Sequence, residues 1–91
     1  MKTLTESREI INQIDPEIRK LFLERMKTVK DVALYKLENN LPVFDETREK
    51  ELIERLSKEV EEELKPYYLE FLSAMLKISK DYQKEIINKL K

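Results

Sequence analysis

Residues 4–36 read LTESREIINQIDPEIRKLFLERMKTVKDVALYK and form the longest regular pattern in the chain. A heptad repeat fits this segment without slips, with two seam positions that recur along one helix face. The seam positions are occupied by Leu4, Ile11, Ile18, Arg25 and Val32, and by Arg8, Asp15, Phe22, Val29 and Lys36. Pro16 can start a new helix, but the register continues through it unchanged. The segment therefore predicts one long, kinked helix.

The remaining sequence predicts two further helices and no strand, because its apolar residues recur at helical spacing. Asn39 and Asn40 can adopt the left-handed conformation that ends a helix. Asp45 is a good N-cap for the second helix, and Pro66 fits the first turn of the third. The predicted fold is all-α, with helices over residues 4–38, 46–64 and 66–90 of a single domain, residues 1–91.

The first helix is too long for a compact monomer. About 35 residues rising about 1.5 Å each make a rod of about 50 Å. A compact chain of this size has a radius of gyration of only about 12–13 Å. The rod must overhang its own domain and expose its apolar seam unless a second copy covers it. Length and pattern therefore predict an intertwined homodimer.

Composition excludes several kinds of chemistry and of partner. The chain has no His, Cys or Gly, which excludes Ser-His-Asp triads, thiolate zinc sites and glycine-rich phosphate loops. Its 18 Lys and Arg and 19 Asp and Glu are interspersed, which argues against a nucleic-acid partner. No apolar run is long enough for a membrane span, and the N-terminus does not resemble a signal peptide. We therefore expect a cytoplasmic protein without nucleic-acid or membrane partners.

Charged residues interrupt the apolar seam of the first helix. Arg8, Asp15, Arg25 and Lys36 occupy four of its ten positions. A charge facing a helical core costs several kcal/mol unless it finds a partner. A single such residue is ordinary, since it can set the helix register or extend its charged end to water. Three cations along one rod instead favour a pocket that receives an anion.

The other two helices carry polar residues at matching positions. Arg48 and Glu49 lie one turn before the apolar stripe of the second helix, so they project toward the same interior. Ser79 and Gln83 follow Met75 at intervals of four residues on the inward stripe of the third helix. A buried Gln needs several hydrogen-bond partners. Such a pocket suits a small, multiply charged, oxygen-rich ligand.

These residues resemble a monofunctional chorismate mutase of the all-helical class (type II) over nearly the whole chain. The matching blocks are Arg8-x-x-Ile11-x-x-Ile14-Asp15, Leu23-Glu24-Arg25, Val32-x-x-x-Lys36, Pro42-Val43-x-Asp45-x-x-Arg48-Glu49 and Ser79-x-x-x-Gln83. The resemblance implies rearrangement of chorismate to prephenate, a [3,3]-sigmatropic reaction in phenylalanine and tyrosine biosynthesis. Such a reaction requires no metal, cofactor or general base. It depends on holding a dianion in its reactive conformer and stabilising the charge that develops.

The resemblance also implies a domain-swapped homodimer that forms a helical bundle, and it implies roles for individual residues. Arg25 and Arg8 of the partner subunit would bind the two carboxylates, while Lys36 and Gln83 would donate to the ether oxygen. Glu49, with the Asp45 region, would hold the ring hydroxyl. Arg48 and Ser79 would complete the carboxylate site. The substrate-binding set is Arg8, Arg25, Lys36, Asp45, Arg48, Glu49, Ser79 and Gln83, of which Lys36, Gln83, Arg25 and Glu49 are catalytic.

Two alternatives stand beside this interpretation. Isochorismate-pyruvate lyases share the helical dimer and much of the cationic pocket but eliminate pyruvate. The block Asp45-x-x-Arg48-Glu49 favours the mutase, because the lyases lack an acid equivalent to Glu49. A helical-bundle interaction module without catalysis is the other alternative, and it gives no reason for inward-facing Arg and Lys.

Overall fold

The computed structural model describes residues 1–91 and contains three helices and no strand, which confirms the predicted all-α fold. The helices are α1 (Leu4–Glu38), α2 (Glu46–Ser57) and α3 (Lys65–Leu90). α3 packs against both α1 and α2, so the buried core follows its length. The buried residues are Val29, Ala33, Leu52, Leu72, Leu76, Ser79, Gln83 and Ile87. None of the three helices is both long and apolar enough to cross a bilayer.

α1 is a single helix that continues through Pro16. Its first turn is capped by Thr3, whose Oγ1 accepts a hydrogen bond from the backbone N–H of Glu6 at 3.1 Å. Pro16 has no N–H, so the carbonyl of Asn12 loses its helical donor, yet the flanking turns hold the segment helical. The continuous heptad register therefore describes this part of the chain correctly.

The end of α1 forms a Schellman motif that turns the chain toward α2. Asn40 has a φ of 55°, in the left-handed region. The N–H of Leu41 donates to the carbonyl of Lys36 at 2.8 Å, and the N–H of Asn40 donates to the carbonyl of Leu37 at 3.4 Å. These two bonds satisfy carbonyls that the helix end would leave open. Asn40 thus takes the place that glycine usually occupies at such a turn.

α2 is shorter than the sequence predicted. It ends at Ser57 instead of continuing to residue 64, and short turns connect it to α3. Four glutamates fall between residues 59 and 63. Negative charges repel one another at helical spacing and are unfavourable at the C-terminal end of a helix dipole. The apolar stripe of α2 therefore stops before Leu64, which is exposed.

The molecule is thin and elongated. Its principal extents are 54 × 26 × 14 Å and its radius of gyration is 16.6 Å, well above the about 12 Å of a compact chain of this length. Seam residues of α1 remain 40–65% exposed, namely Leu4, Ile11, Ile18, Phe22 and Val32. An apolar groove of about 650 Å³ runs between this exposed stretch and the first half of α3. One chain thus leaves open the face that the heptad pattern assigns to a second copy.

Candidate active site

A cavity of about 170 Å³ lies where α1, α2, α3 and the loop before α2 meet. Seven of the eight residues predicted to bind substrate line it, namely Arg25, Lys36, Asp45, Arg48, Glu49, Ser79 and Gln83. Its other lining residues are Val29, Val32, Val43, Leu52, Leu76 and Lys80. Arg8 does not reach this cavity, because it lies on the exposed N-terminal part of α1.

The lining of the cavity carries an excess of positive charge. Four of its residues are cationic and two are carboxylates, which leaves two uncompensated positive charges. Apolar side chains form much of the remaining wall and keep the local dielectric constant low, so each charge acts strongly on a bound ion. The cavity is therefore electrostatically suited to a small dianion.

Arg25 is half-buried and has only a neutral partner. Its Nη1 donates a hydrogen bond to Ser79 Oγ, and that hydroxyl donates to the carbonyl of Met75 at 2.9 Å. Arg25 takes part in none of the seven ion pairs of the chain. Burial, and secondarily the positive charge of Arg48, lowers the pKa of Arg25 from its ordinary value. An anion beside Arg25 would stabilise the charged guanidinium and so oppose both effects on its pKa.

Lys36 also lacks an ionic partner. Its Nζ donates to the carbonyl of Val43 at 2.8 Å, while its own carbonyl accepts from Leu41 in the Schellman motif. Lys36 thus contacts the loop between α1 and α2 twice, through its ammonium and through its backbone carbonyl. An ammonium has three donors, and this contact occupies one of them. The cavity-facing ammonium retains capacity for a ligand.

Gln83 presents a buried amide to the cavity. The residue is buried, and its Oε1 accepts no hydrogen bond. A buried polar atom without a partner costs roughly 1–3 kcal/mol. A polar group left without a hydrogen bond is typical of a binding site, where the ligand supplies the missing partner. Rotation of the Gln83 amide by half a turn exchanges its oxygen and its nitrogen, so either atom can face a ligand.

The start of α2 supplies the remaining predicted residues, Asp45, Arg48 and Glu49, and all three already have partners. Asp45 Oδ1 accepts from the backbone N–H of Arg48 at 3.0 Å and so acts as the N-cap of α2. The guanidinium of Arg48 pairs with Glu51 at 2.8 Å, and its side chain is 55% exposed. Arg48 must therefore exchange this surface ion pair to reach a ligand, an exchange that costs little because exposed pairs are weak.

Lys80 is a cavity residue that the sequence analysis missed. Its Nζ lies 3.2 Å from Glu49 Oε1 and 3.1 Å from Glu49 Oε2, and 4.7 Å from the centre of the Phe44 ring. Lys80 falls four residues after Leu76 and three before Gln83, so it shares the spacing of the buried stripe of α3. That spacing could have identified it, since a Lys on a buried stripe needs a partner.

Comparison with known proteins agrees with this geometry. Residues 7–84 match the family model described as chorismate mutase type II. The chain belongs to the type II chorismate mutase family. The resemblance seen in the sequence is thereby confirmed, and the three-helix fold is consistent with it.

Two curated relatives have chorismate mutase in their names. The chain is 39% identical over 89 residues to a bifunctional chorismate mutase/prephenate dehydratase of Aquifex aeolicus, covering 88% of this chain and 25% of the relative. It is 40% identical over 58 residues to a chorismate mutase of Methanocaldococcus jannaschii, covering 64% of this chain and 59% of the relative. The chain therefore spans less than two thirds of either relative. No solved structure gives a significant match.

The capping role of Asp45 in this type II chorismate mutase chain leads to a stability prediction. Asp45→Ala should lower the free energy of unfolding by roughly 0.5–2 kcal/mol, because α2 loses its N-cap. Asp45→Asn should retain most of it, since Asn caps equally well. Urea unfolding at one protein concentration measures both. Equal losses in the two variants would show that the charge of Asp45, and not the cap, stabilises this helix.

Proposed function

We propose that the chain is a chorismate mutase that rearranges chorismate to prephenate. One observation carries the proposal: Arg25 and Lys36 line a single cavity with only neutral partners, beside the unsatisfied amide of Gln83. A substrate with two carboxylates and an ether oxygen would complete these groups. The matched family and the names of the relatives support the same reaction.

Substrate binding would select the reactive conformer. Arg25, Arg48 and Lys36 approach the cavity from two helices, so they can bind two carboxylates at separate points. Two fixed anchors restrict the rotation of the flexible side chain of chorismate. Holding the reacting atoms in a near-attack geometry removes much of the entropic barrier. Ser79, already the acceptor from Arg25, would keep the guanidinium in place.

Charge stabilisation would supply the second contribution. As the carbon–oxygen bond of chorismate breaks and the new carbon–carbon bond forms, negative charge grows on the ether oxygen. Lys36 on α1 and Gln83 on α3 would donate to that oxygen from opposite sides. Donors fixed in advance need no reorganisation during the reaction, and each is worth roughly 3–4 kcal/mol. Glu49 would accept a hydrogen bond from the ring hydroxyl and fix the orientation of the ring.

We also propose that the active unit is an intertwined homodimer in which Arg8 of the partner subunit enters the site. The exposed apolar seam and the groove beside α3 support this assembly. Arg8 occupies a seam position two turns before Asp15 yet is exposed in the single chain. A second copy crossing the groove would cover the seam and bring its own Arg8 toward a neighbouring cavity.

The location of the enzyme and the absence of nucleic-acid and membrane partners stay predictions from composition. Interspersed acidic and basic residues support them, with a formal net charge of −1. We propose a cytoplasmic enzyme on that basis.

A parallel assay tests the proposed reaction. Purified protein incubated with chorismate should form prephenate far faster than buffer, and it should release little pyruvate from isochorismate. Absorbance loss of chorismate and an enzymatic pyruvate assay measure the two activities. Dominant pyruvate release would assign the chain to the lyases, and turnover no faster than buffer would leave only a binding module.

Lys36→Ala should lower kcat/KM for chorismate roughly 10²–10³-fold, because it removes the donor aimed at the developing charge. Lys27→Ala is the matched control, since Lys27 lies on the exposed face of the same helix. Lys27→Ala should retain wild-type kinetics. Comparable losses in both variants, or unchanged turnover in Lys36→Ala, would remove Lys36 from the mechanism.

Mixing inactive variants tests the contribution of Arg8 across the dimer. Arg8→Ala and Arg25→Ala should each be nearly inactive, but co-refolding them in equal amounts should restore about one quarter of wild-type activity. Half of the dimers would then be mixed, and each would contain one intact site. Co-refolded Arg25→Ala and Lys36→Ala should restore nothing, because those residues line the same cavity of one chain. Equal recovery in both mixtures, or none in either, would contradict the exchange of Arg8.

A further inference from the structure

We propose that Lys80 is a positioning residue that orients the Glu49 carboxylate toward the ring hydroxyl of the substrate, an inference that rests on the proposed chorismate mutase function. Lys80 lies outside the eight residues that the family resemblance assigns to the substrate. It nevertheless lines the same cavity as seven of them. Its role is argued from its contacts with α2 and with the loop that precedes it.

Lys80 holds Glu49 from one side with both carboxylate oxygens engaged. The distances from Nζ are 3.2 Å to Oε1 and 3.1 Å to Oε2, so the ammonium lies almost symmetrically over the carboxylate. The Phe44 ring lies below the ammonium, with its centre 4.7 Å from Nζ. A cation over an aromatic face is attracted to it, and the attraction strengthens where water is excluded. Phe44 and Glu49 thus fix the position of the Lys80 head between them.

This ion pair differs from the other six in the chain. The others join residues three or four positions apart, and at least one partner of each is largely exposed. Lys80 and Glu49 are 31 residues apart, and their side chains are only 26% and 20% exposed. Exposed pairs contribute little to geometry, whereas a partly buried pair is screened less by salt. It is the one ion pair that ties α2 to α3.

The pair leaves Glu49 able to accept a further hydrogen bond. A carboxylate has about four lone-pair sites, of which the single ammonium uses two. The remaining sites are available to a hydroxyl in the cavity that Glu49 also lines. Lys80 also compensates the negative charge of Glu49, which would otherwise repel an incoming dianion. Without Lys80, the cavity loses the orientation of its hydroxyl acceptor, and the charge of Glu49 is no longer compensated.

Steady-state kinetics of four variants test the proposal. Lys80→Met should raise KM for chorismate about tenfold with kcat within about threefold, since a contact to the hydroxyl is made equally in ground and transition states. Lys80→Arg, which keeps the charge, should return KM to within about threefold of wild type. In a Glu49→Gln background, adding Lys80→Met should change KM less than about twofold, because the two residues act as one unit.

A substrate lacking the hydroxyl provides a second readout. Lys80→Met should raise KM for chorismate whose ring hydroxyl is replaced by hydrogen clearly less than it raises KM for chorismate itself. Lys77→Met is the matched control, since Lys77 lies on the same helix, is 75% exposed and pairs only with Asp81 at 2.8 Å. It should leave the kinetics unchanged. Thermal unfolding monitors the fold of each variant, and Lys80→Gln replaces Lys80→Met in every arm if the latter unfolds.

The outcomes separate this proposal from the function on which it rests. A wild-type enzyme that turns over chorismate while Lys80→Met retains its KM overturns the role of Lys80 and leaves the proposed function standing. A rise in KM that persists fully in the Glu49→Gln background, or with the deoxy substrate, also overturns it, because Lys80 would then act without Glu49. A wild-type protein without turnover overturns both.

Discussion

Two cations on one face of α1 impose the main constraint on this molecule. Arg25 and Lys36 lie eleven residues apart, about three helical turns, and the apolar residues between them form part of the core. The fold can bury Val29 and Ala33 only by drawing both charges toward the same interface. Each cation then donates to a neutral oxygen, which compensates a charge poorly. The folded chain accepts this cost, and a bound anion would offset it.

Much of this arrangement was predictable because it follows from helical spacing. The register of α1 brought Arg25 and Lys36 to one face, and the four-residue interval from Ser79 to Gln83 did the same on α3. Seven of the eight predicted site residues therefore line one cavity. The left-handed turn at Asn40 was also predictable, since few residue types tolerate that conformation.

Other features could not be predicted, because they depend on which of several possible interactions is the strongest. A sequence alone does not show this. α2 ends early because the glutamates after Ser57 disfavour a helix end, whereas the apolar spacing alone extends it to residue 64. Arg48 lines the cavity as expected, but its guanidinium is paired with Glu51 at the surface. The spacing of Lys80 places it on the buried stripe of α3, but it could not identify its partner, because Glu49 is 31 residues away.

Arg25 connects the site with the exposed face of the rod. It lines both the polar cavity and the apolar groove that lies beside α3. Any chain that fills the groove therefore removes water from one side of the guanidinium and lowers the dielectric constant around it. Its attraction for an anion in the cavity then increases, because Coulomb energies scale inversely with the dielectric constant. Covering the apolar seam and strengthening the anion site are thus one physical event, and a lone chain would bind its dianion more weakly than a paired one.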